Sequence, residues 1–183
     1  MTSDPYFIEV FLDAPSCRRL RRLMDGAATE PAEILVDTVA LDADVRRVAT
    51  VDLDPAAIAE VEQRLDAVRD EVGTFFGLTL TAREGVSFLR YQQGDFYLPH
   101  VDRATVEAWP DAARRQIALV VFLNTSVAAP SDGQFSGGEL CLIGARVDVV
   151  PQEGMLVAFD AGMLHEVATV KEGTRDVVVD WFY

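Results

Sequence analysis

The chain has 183 residues, half of them hydrophobic and a quarter charged, which suits one globular domain with a real core and is short for two. Its net charge of −14 divides evenly, −7 on either side of Arg83/Glu84. Such an acidic balance disfavours broad binding to nucleic-acid phosphates or anionic membranes, which select basic surfaces.

Residues 1–15 have no cationic start and no long apolar stretch, so no secretory signal is expected. Residues 7–12 read as a short strand. Asp13 then stands where it can cap a helix over 14–26, with Leu20, Leu23 and Met24 on its apolar side. Arg18, Arg19, Arg21 and Arg22 decorate that helix as a solvated face. Residues 33–39 suggest another strand. Asp54 caps a second helix, Pro55 takes its first position, and it runs to about Phe76. Its apolar residues Ile58, Val61, Leu65, Val68, Val72 and Phe75 recur every three or four places, one stripe for a helix lying on a sheet.

Beyond Thr81 the texture turns to short β-type runs between Gly, Pro, Asp and Asn: 86–91, 98–101, 117–123, 139–143, 146–150, 155–159, 165–170 and 175–182. This pattern predicts a sandwich or jelly roll. The apolar run 117–123 is the longest in the chain and far short of a membrane span. The two longest gaps, 102–114 and 124–138, are long enough to act as lids over a site. Cys17 and Cys141 are too few for a disulfide framework and sit among apolar neighbours, as small buried side chains do. A reduced, cytoplasmic protein is the expectation.

Both histidines, His100 and His165, fall in this β-rich part. Asp102 follows His100 two places on, and in a strand such residues share a face. His165 opens another run and can supply a third donor. Two imidazoles and a carboxylate make the facial triad of non-haem Fe(II) sites, although either histidine could equally be structural. In the last run Arg175, Val177, Val179 and Trp181 alternate onto one face. That face is largely apolar, which turns Arg175 inward, where a guanidinium needs an anion such as a planar carboxylate. The alternative is an edge arginine paired with Glu172 or Asp176.

With these pieces in order, the sequence resembles the Fe(II)- and 2-oxoglutarate-dependent dioxygenases, in their prolyl 4-hydroxylase-like branch. Tyr91-Gln-Gln-Gly94-Asp-Phe-Tyr97-Leu-Pro-His100-Val-Asp102 looks like the branch's Tyr-x-x-Gly…His-x-Asp segment. The run from Arg115 to Phe122-Leu123-Asn124 resembles its central strand ending in Tyr-Leu-Asn. Gly137-Gly138-Glu139-Leu140, Gly154 to Phe159, and His165…Gly173-Thr-Arg175…Trp181 complete the set over about residues 84–183.

The resemblance implies an α+β fold: a double-stranded β-helix (jelly roll) core over 84–183, with N-terminal helices from 1–83 packed on its major sheet. Together these would form a single domain. It implies Fe(II) held by His100, Asp102 and His165, with Arg175 on the distal carboxylate of 2-oxoglutarate. Tyr91 and Tyr97 would line the co-substrate pocket, with a core role the other possibility. Trp181 and Arg115 would lie on the substrate side; a core tryptophan and a surface charge are the alternatives. No catalytic residue beyond the metal ligands is implied. The activity would be hydroxylation of an unactivated C–H bond, most naturally in a prolyl or other amino-acid-derived substrate. O2 would be consumed, succinate and CO2 released, and ascorbate admitted as an accessory. A small-molecule metabolite as substrate, or a non-catalytic metal-binding jelly roll, stands as the alternative. The partner is a small-molecule or peptidyl substrate, not nucleic acid or membrane. Two hydroxyls of the branch's pattern are absent: Ala118 replaces a Thr and Phe122 a Tyr. The anchor for the diacid would therefore lean more on Arg175 and a remaining Tyr. The carboxylate of Asp102 favours hydroxylation over halogenation.

Overall fold

Asp13 and Asp54 set the two helix starts. The computed structural model describes residues 4–35, 39–104 and 109–183. After strand β1 (Tyr6–Ile8), the Asp13 carboxylate accepts the Ser16 N–H and helix α1 spans Ala14–Asp25. Short strands follow: β2 (Thr29–Pro31), β3 (Ile34–Leu35), β4 (Val39–Ala40), β5 (Arg46–Arg47) and β6 (Ala49–Val51). Asp54 then accepts from the N–H groups of Ala56 and Ala57, and helix α2 runs over Pro55–Phe76. Gly77, at φ 68°, closes it in the left-handed region that favours glycine.

The β-rich part contains β7 (Ser87–Tyr91), β8 (Phe96–His100), a 3₁₀ turn at Pro110–Arg114, β9 (Ile117–Phe122) and β10 (Phe135–Gly137). It continues with β11 (Leu140–Leu142), β12 (Val147–Val149), β13 (Leu156–Asp160), β14 (His165–Val167), β15 (Val170–Gly173) and β16 (Arg175–Phe182). Pairing between named strands is antiparallel throughout. The larger sheet runs β1-β13-β9-β16-β7-β6-β2 and the smaller β12-β11-β14-β8-β5, with β10–β15 and β3–β4 as separate ribbons. The architecture is α+β.

Three layers result. On β9, Ile117, Leu119 and Val121 join the core beneath α1 and α2, while Ala118, Val120 and Phe122 face the smaller sheet. A strand covered on both faces has no need of polar alternation, hence the unbroken apolar run. On β16 the polar members of the helix side, Asp176 and Asp180, are fully buried and neutralised by arginines. Asp176 accepts from Arg90 at 2.7 and 3.0 Å and from Arg21 of α1 at 3.0 Å. This ties the first helix to the sheet.

The structure amends several expectations. The first strand is shorter than residues 7–12 and begins at Tyr6, because Phe11 and Leu12 turn away to bond the Gly154 carbonyl. Residues 33–39 hold one arm each of the β3–β4 hairpin, and 36–38 lie outside the described residues. Arg21 is no solvated residue, since it meets buried Asp176. Leu23 and Phe75 are exposed, and Phe76 takes the core position instead. A 3.6-residue helix drifts off a 3.5-residue stripe by its last turn. The run 165–170 breaks at Ala168, where the chain leaves β8 and β11 for β10. Strand β10 lies inside what reads as a loop. Segments before residue 84 add β1, β6 and β2 to the larger sheet and β5 to the smaller, beyond the two helices. Cys17 is buried, whereas Cys141 is only half-buried. Among the described residues no helix is long and apolar enough to cross a membrane.

Candidate active site

His165 of β14 stands directly opposite His100 of β8 in the ladder, and their rings lie 4.1 Å apart. Asp102 falls beyond the end of β8, so strand alternation is not what delivers it. Instead the N–H groups of Asp102 and Arg103 both donate to the Ala161 carbonyl, at 2.9 and 2.8 Å, folding the chain back over the histidines. One Asp102 oxygen then lies 3.7 Å from His100 Nε2 and the other 3.6 Å from His165 Nε2. Donor atoms of the three residues fall within 4.8 Å of one another.

The protonation pattern suits metal binding. His100 Nδ1 sits 2.8 Å from the Leu98 carbonyl and His165 Nδ1 2.9 Å from the Met163 carbonyl. A carbonyl can only accept, so each Nδ1 carries a proton and each Nε2 is turned toward the Asp102 carboxylate. Burial, reinforced by His165, pushes the His100 imidazole down to about 3, so it is neutral across the physiological range. Burial pushes the Asp102 carboxyl up, but the imidazole N–H dipoles and any charge on the His165 and His100 rings, with the Trp181 N–H and the Arg115 guanidinium, outweigh it and hold the group below its ordinary value. Two imidazoles and a carboxylate, oriented before any ion arrives, fit a divalent first-row metal.

A cavity of about 420 Å³ opens beside these donors. Arg175 lines it, with only 1 % of its surface exposed. Its Nε donates to the Gly138 carbonyl at 2.9 Å, and its guanidinium lies 4.8 Å from the Tyr91 ring and 5.2 Å from that of Phe122. Among the described residues no carboxylate forms an ion pair with it, and burial lowers its affinity for its proton. An unpaired buried cation facing a cavity is a standing demand for an anionic ligand. The edge-arginine alternative, pairing with Glu172 or Asp176, does not hold. Gly138 makes room for this side chain: a Cβ there, at φ 65°, would meet Arg175 Cδ and Phe135 Cε2 at 2.9 Å.

Tyr91 is buried opposite Arg175 in the β7–β16 register and lines the cavity. Tyr97 stacks on His100 with ring centres 3.4 Å apart, and burial pushes its phenol up to about 12. Trp181 lines the same wall. Arg115 is no surface charge: it is buried, gripped by both oxygens of Glu84 at 2.5 and 2.6 Å, and packed 3.8 Å over the Trp181 ring. Its Nη1 also donates to the Asp102 carbonyl at 3.1 Å. Of the two loops expected to gate the site, Trp109 from the first lines the cavity, and 105–108 lie outside the described residues. Residues 125–137 do not line it; Ser126 and Phe135 anchor that segment in the interior instead.

Sequence reasoning missed Glu84, Trp109 and Arg46, all on the cavity wall. Glu84 reaches its partner across 31 positions, and no periodicity signals such a pair. Arg46 arrives on the two-residue strand β5 and packs over Tyr97 at 4.7 Å.

Comparison with known proteins adds independent findings. Residues 86–183 match the family model described as the 2OG-Fe(II) oxygenase superfamily. A PKHD-type hydroxylase of Acaryochloris marina is 38 % identical over 98 residues, covering 51 % of this chain and 39 % of that protein. One from Prochlorococcus marinus is 32 % identical over 99 residues, covering 53 % and 40 %. The chain thus matches about two-fifths of the length of these curated relatives. A crystal structure of a Pseudomonas putida prolyl-4-hydroxylase superposes with TM-score 0.73 and 26 % identity, over 99 % of this chain and 92 % of that one. A Trichoplax adhaerens prolyl hydroxylase, solved with a hypoxia-inducible-factor peptide fragment, shares the fold at TM-score 0.71 and 19 % identity, over 100 % and 84 %.

Proposed function

The chain belongs to the 2OG-Fe(II) oxygenase superfamily, and on that premise we propose that it hydroxylates an unactivated C–H bond while 2-oxoglutarate is converted to succinate and CO2. The observation that carries this reading is the buried, unpaired Arg175 guanidinium beside the His100–Asp102–His165 cluster. A dicarboxylate with one end at these metal donors and the other on the guanidinium would answer both features. We read the two sheets as a double-stranded β-helix and the 183 residues as one catalytic domain.

Bound iron, with 2-oxoglutarate and O2, supplies the oxidising power. The chain supplies position and a shielded site. His100, Asp102 and His165 would hold the metal, the Nδ1–carbonyl bonds of the two histidines fixing ring orientation. Arg175 takes the far carboxylate of the diacid through the nitrogens that Gly138 leaves free, and the Tyr91 and Phe122 rings wall it from water. Tyr97 remains a neutral phenol at physiological pH and buttresses His100. On the substrate side stand Trp181 and Arg115, the latter neutralised by Glu84. The name of the Pseudomonas putida neighbour, a prolyl-4-hydroxylase, supports a prolyl or related amino-acid-derived target. Free thiols at Cys17 and Cys141 suit a reducing, cytoplasmic setting.

The test is succinate formation from 2-oxoglutarate with added Fe(II) and O2, stimulated by prolyl-containing peptides. His165→Ala and Asp102→Ala abolish it on this account. Full turnover in either variant removes the proposed triad.

A further inference from the structure

Arg175 stands at the first position of β16, paired with Tyr91 of β7 on one side. On the β9 side the ladder ends at Val177 opposite Phe122, and past it the Leu123 N–H still donates to the Asp176 carbonyl at 2.9 Å, which leaves the Asp176 N–H and the Thr174 carbonyl for another partner. Asn124, two places beyond the end of β9 and 2 % exposed, takes over there with its side chain. Its Nδ2 donates to the Thr174 carbonyl at 2.7 Å and to the Gly133 carbonyl at 3.1 Å, and its Oδ1 accepts the Asp176 N–H at 3.1 Å. One amide therefore pins the backbone on both sides of Arg175, and fastens the segment before β10 to the same point. No hydroxyl helps from the neighbouring wall, where Phe122 stands.

We propose that Asn124 is a positioning residue for the co-substrate: it sets the direction of the Arg175 guanidinium, and through it the affinity for 2-oxoglutarate, without touching the ligand. This deepens the functional reading above and rests on it. The leverage is geometric. A long side chain amplifies a small tilt of its strand end, and a binding constellation must be held within about 0.5 Å of its productive geometry. The donors on His100, Asp102 and His165 are held by other carbonyls, those of Leu98, Ala161 and Met163, and do not depend on Asn124.

The experiment is an anaerobic calorimetric titration of 2-oxoglutarate into Mn(II)-loaded protein, with Mn(II) affinity measured separately. In Asn124→Ala the 2-oxoglutarate dissociation constant rises tenfold or more while Mn(II) affinity is unchanged. In turnover, KM for 2-oxoglutarate rises far more than kcat falls. Asn124→Ser, whose hydroxyl meets only some of the three groups, falls between, and carries the comparison if the alanine variant does not fold. Asp180→Asn is the comparator, a buried change at the other end of β16 that lowers the unfolding midpoint and leaves 2-oxoglutarate affinity as it was. Wild-type affinity in the Asn124 variants, or an equal loss in Asp180→Asn, overturns the proposal. Failure of the wild-type protein to bind 2-oxoglutarate overturns the functional reading beneath it, and is recognised by that measurement alone.

Discussion

Replacing Arg175 with methionine should pull affinity and stability in different directions. The guanidinium is buried, hydrogen-bonded through Nε to Gly138, and lacks a carboxylate partner among the described residues. Removing one member of a buried, hydrogen-bonded charge pair costs about 2–5 kcal/mol. At about 1.4 kcal/mol per decade, the dissociation constant of 2-oxoglutarate should rise about 30- to 4,000-fold. In the ligand-free protein the balance reverses. Losing the bond to Gly138 costs about 1 kcal/mol, whereas removing an uncompensated buried charge returns several. Methionine is apolar and of similar length, so it fills the same space. Calorimetric titration and thermal unfolding of the ligand-free protein read the two quantities. The expected result is a large loss of affinity with an unfolding midpoint unchanged or raised by a few degrees. Unchanged affinity, or a collapse of ligand-free stability, refutes the assignment of Arg175 as a cation waiting for a diacid.

Three further outcomes follow from the same geometry. Gly138→Ala forces a Cβ against Arg175 Cδ and Phe135 at 2.9 Å in a left-handed backbone, so 2-oxoglutarate affinity should fall by about tenfold and stability by about 1–3 kcal/mol, read by titration and denaturant unfolding. His100 has its imidazole held at about 3 against 6.5 in an unfolded chain. Between those values only the unfolded chain takes up the proton. Metal-free stability should therefore be full above pH 6.5 and decline as pH falls, by up to about 1.4 kcal/mol per unit, and His100→Gln should flatten that slope in urea melts. Glu84→Gln strands the Arg115 guanidinium without its anion, and thermal unfolding should register a loss of about 3 kcal/mol.

Features fixed by local chemistry were legible before the structure. An aspartate ahead of a proline-led apolar stripe announces a helix start, and both α1 and α2 begin where Asp13 and Asp54 indicate. The unbroken run of β9 announces a strand covered on both faces, and alternation on β16 turns Arg175 to the cavity. What stayed hidden is held by distant partners. Strands β2, β5, β6 and β10 have two or three residues each, too few to carry a period, and form because β6, β8, β7 and β15 offer them a ladder. Asp102 reaches the histidines through a carbonyl 59 positions away, so the fold brings the His-x-Asp residues together by a route their spacing does not describe. The Glu84–Arg115 pair and the triple grip of Asn124 likewise exist only once the sheet has closed.

Anaerobic crystals grown with Mn(II) and 2-oxoglutarate, with anomalous scattering collected for the metal, test the central claim most directly. The account predicts one metal peak bounded by His100 Nε2, His165 Nε2 and the Asp102 carboxylate, with the diacid chelating it and its far carboxylate on Arg175. A metal bound elsewhere, or a diacid that leaves Arg175 without a partner, contradicts it.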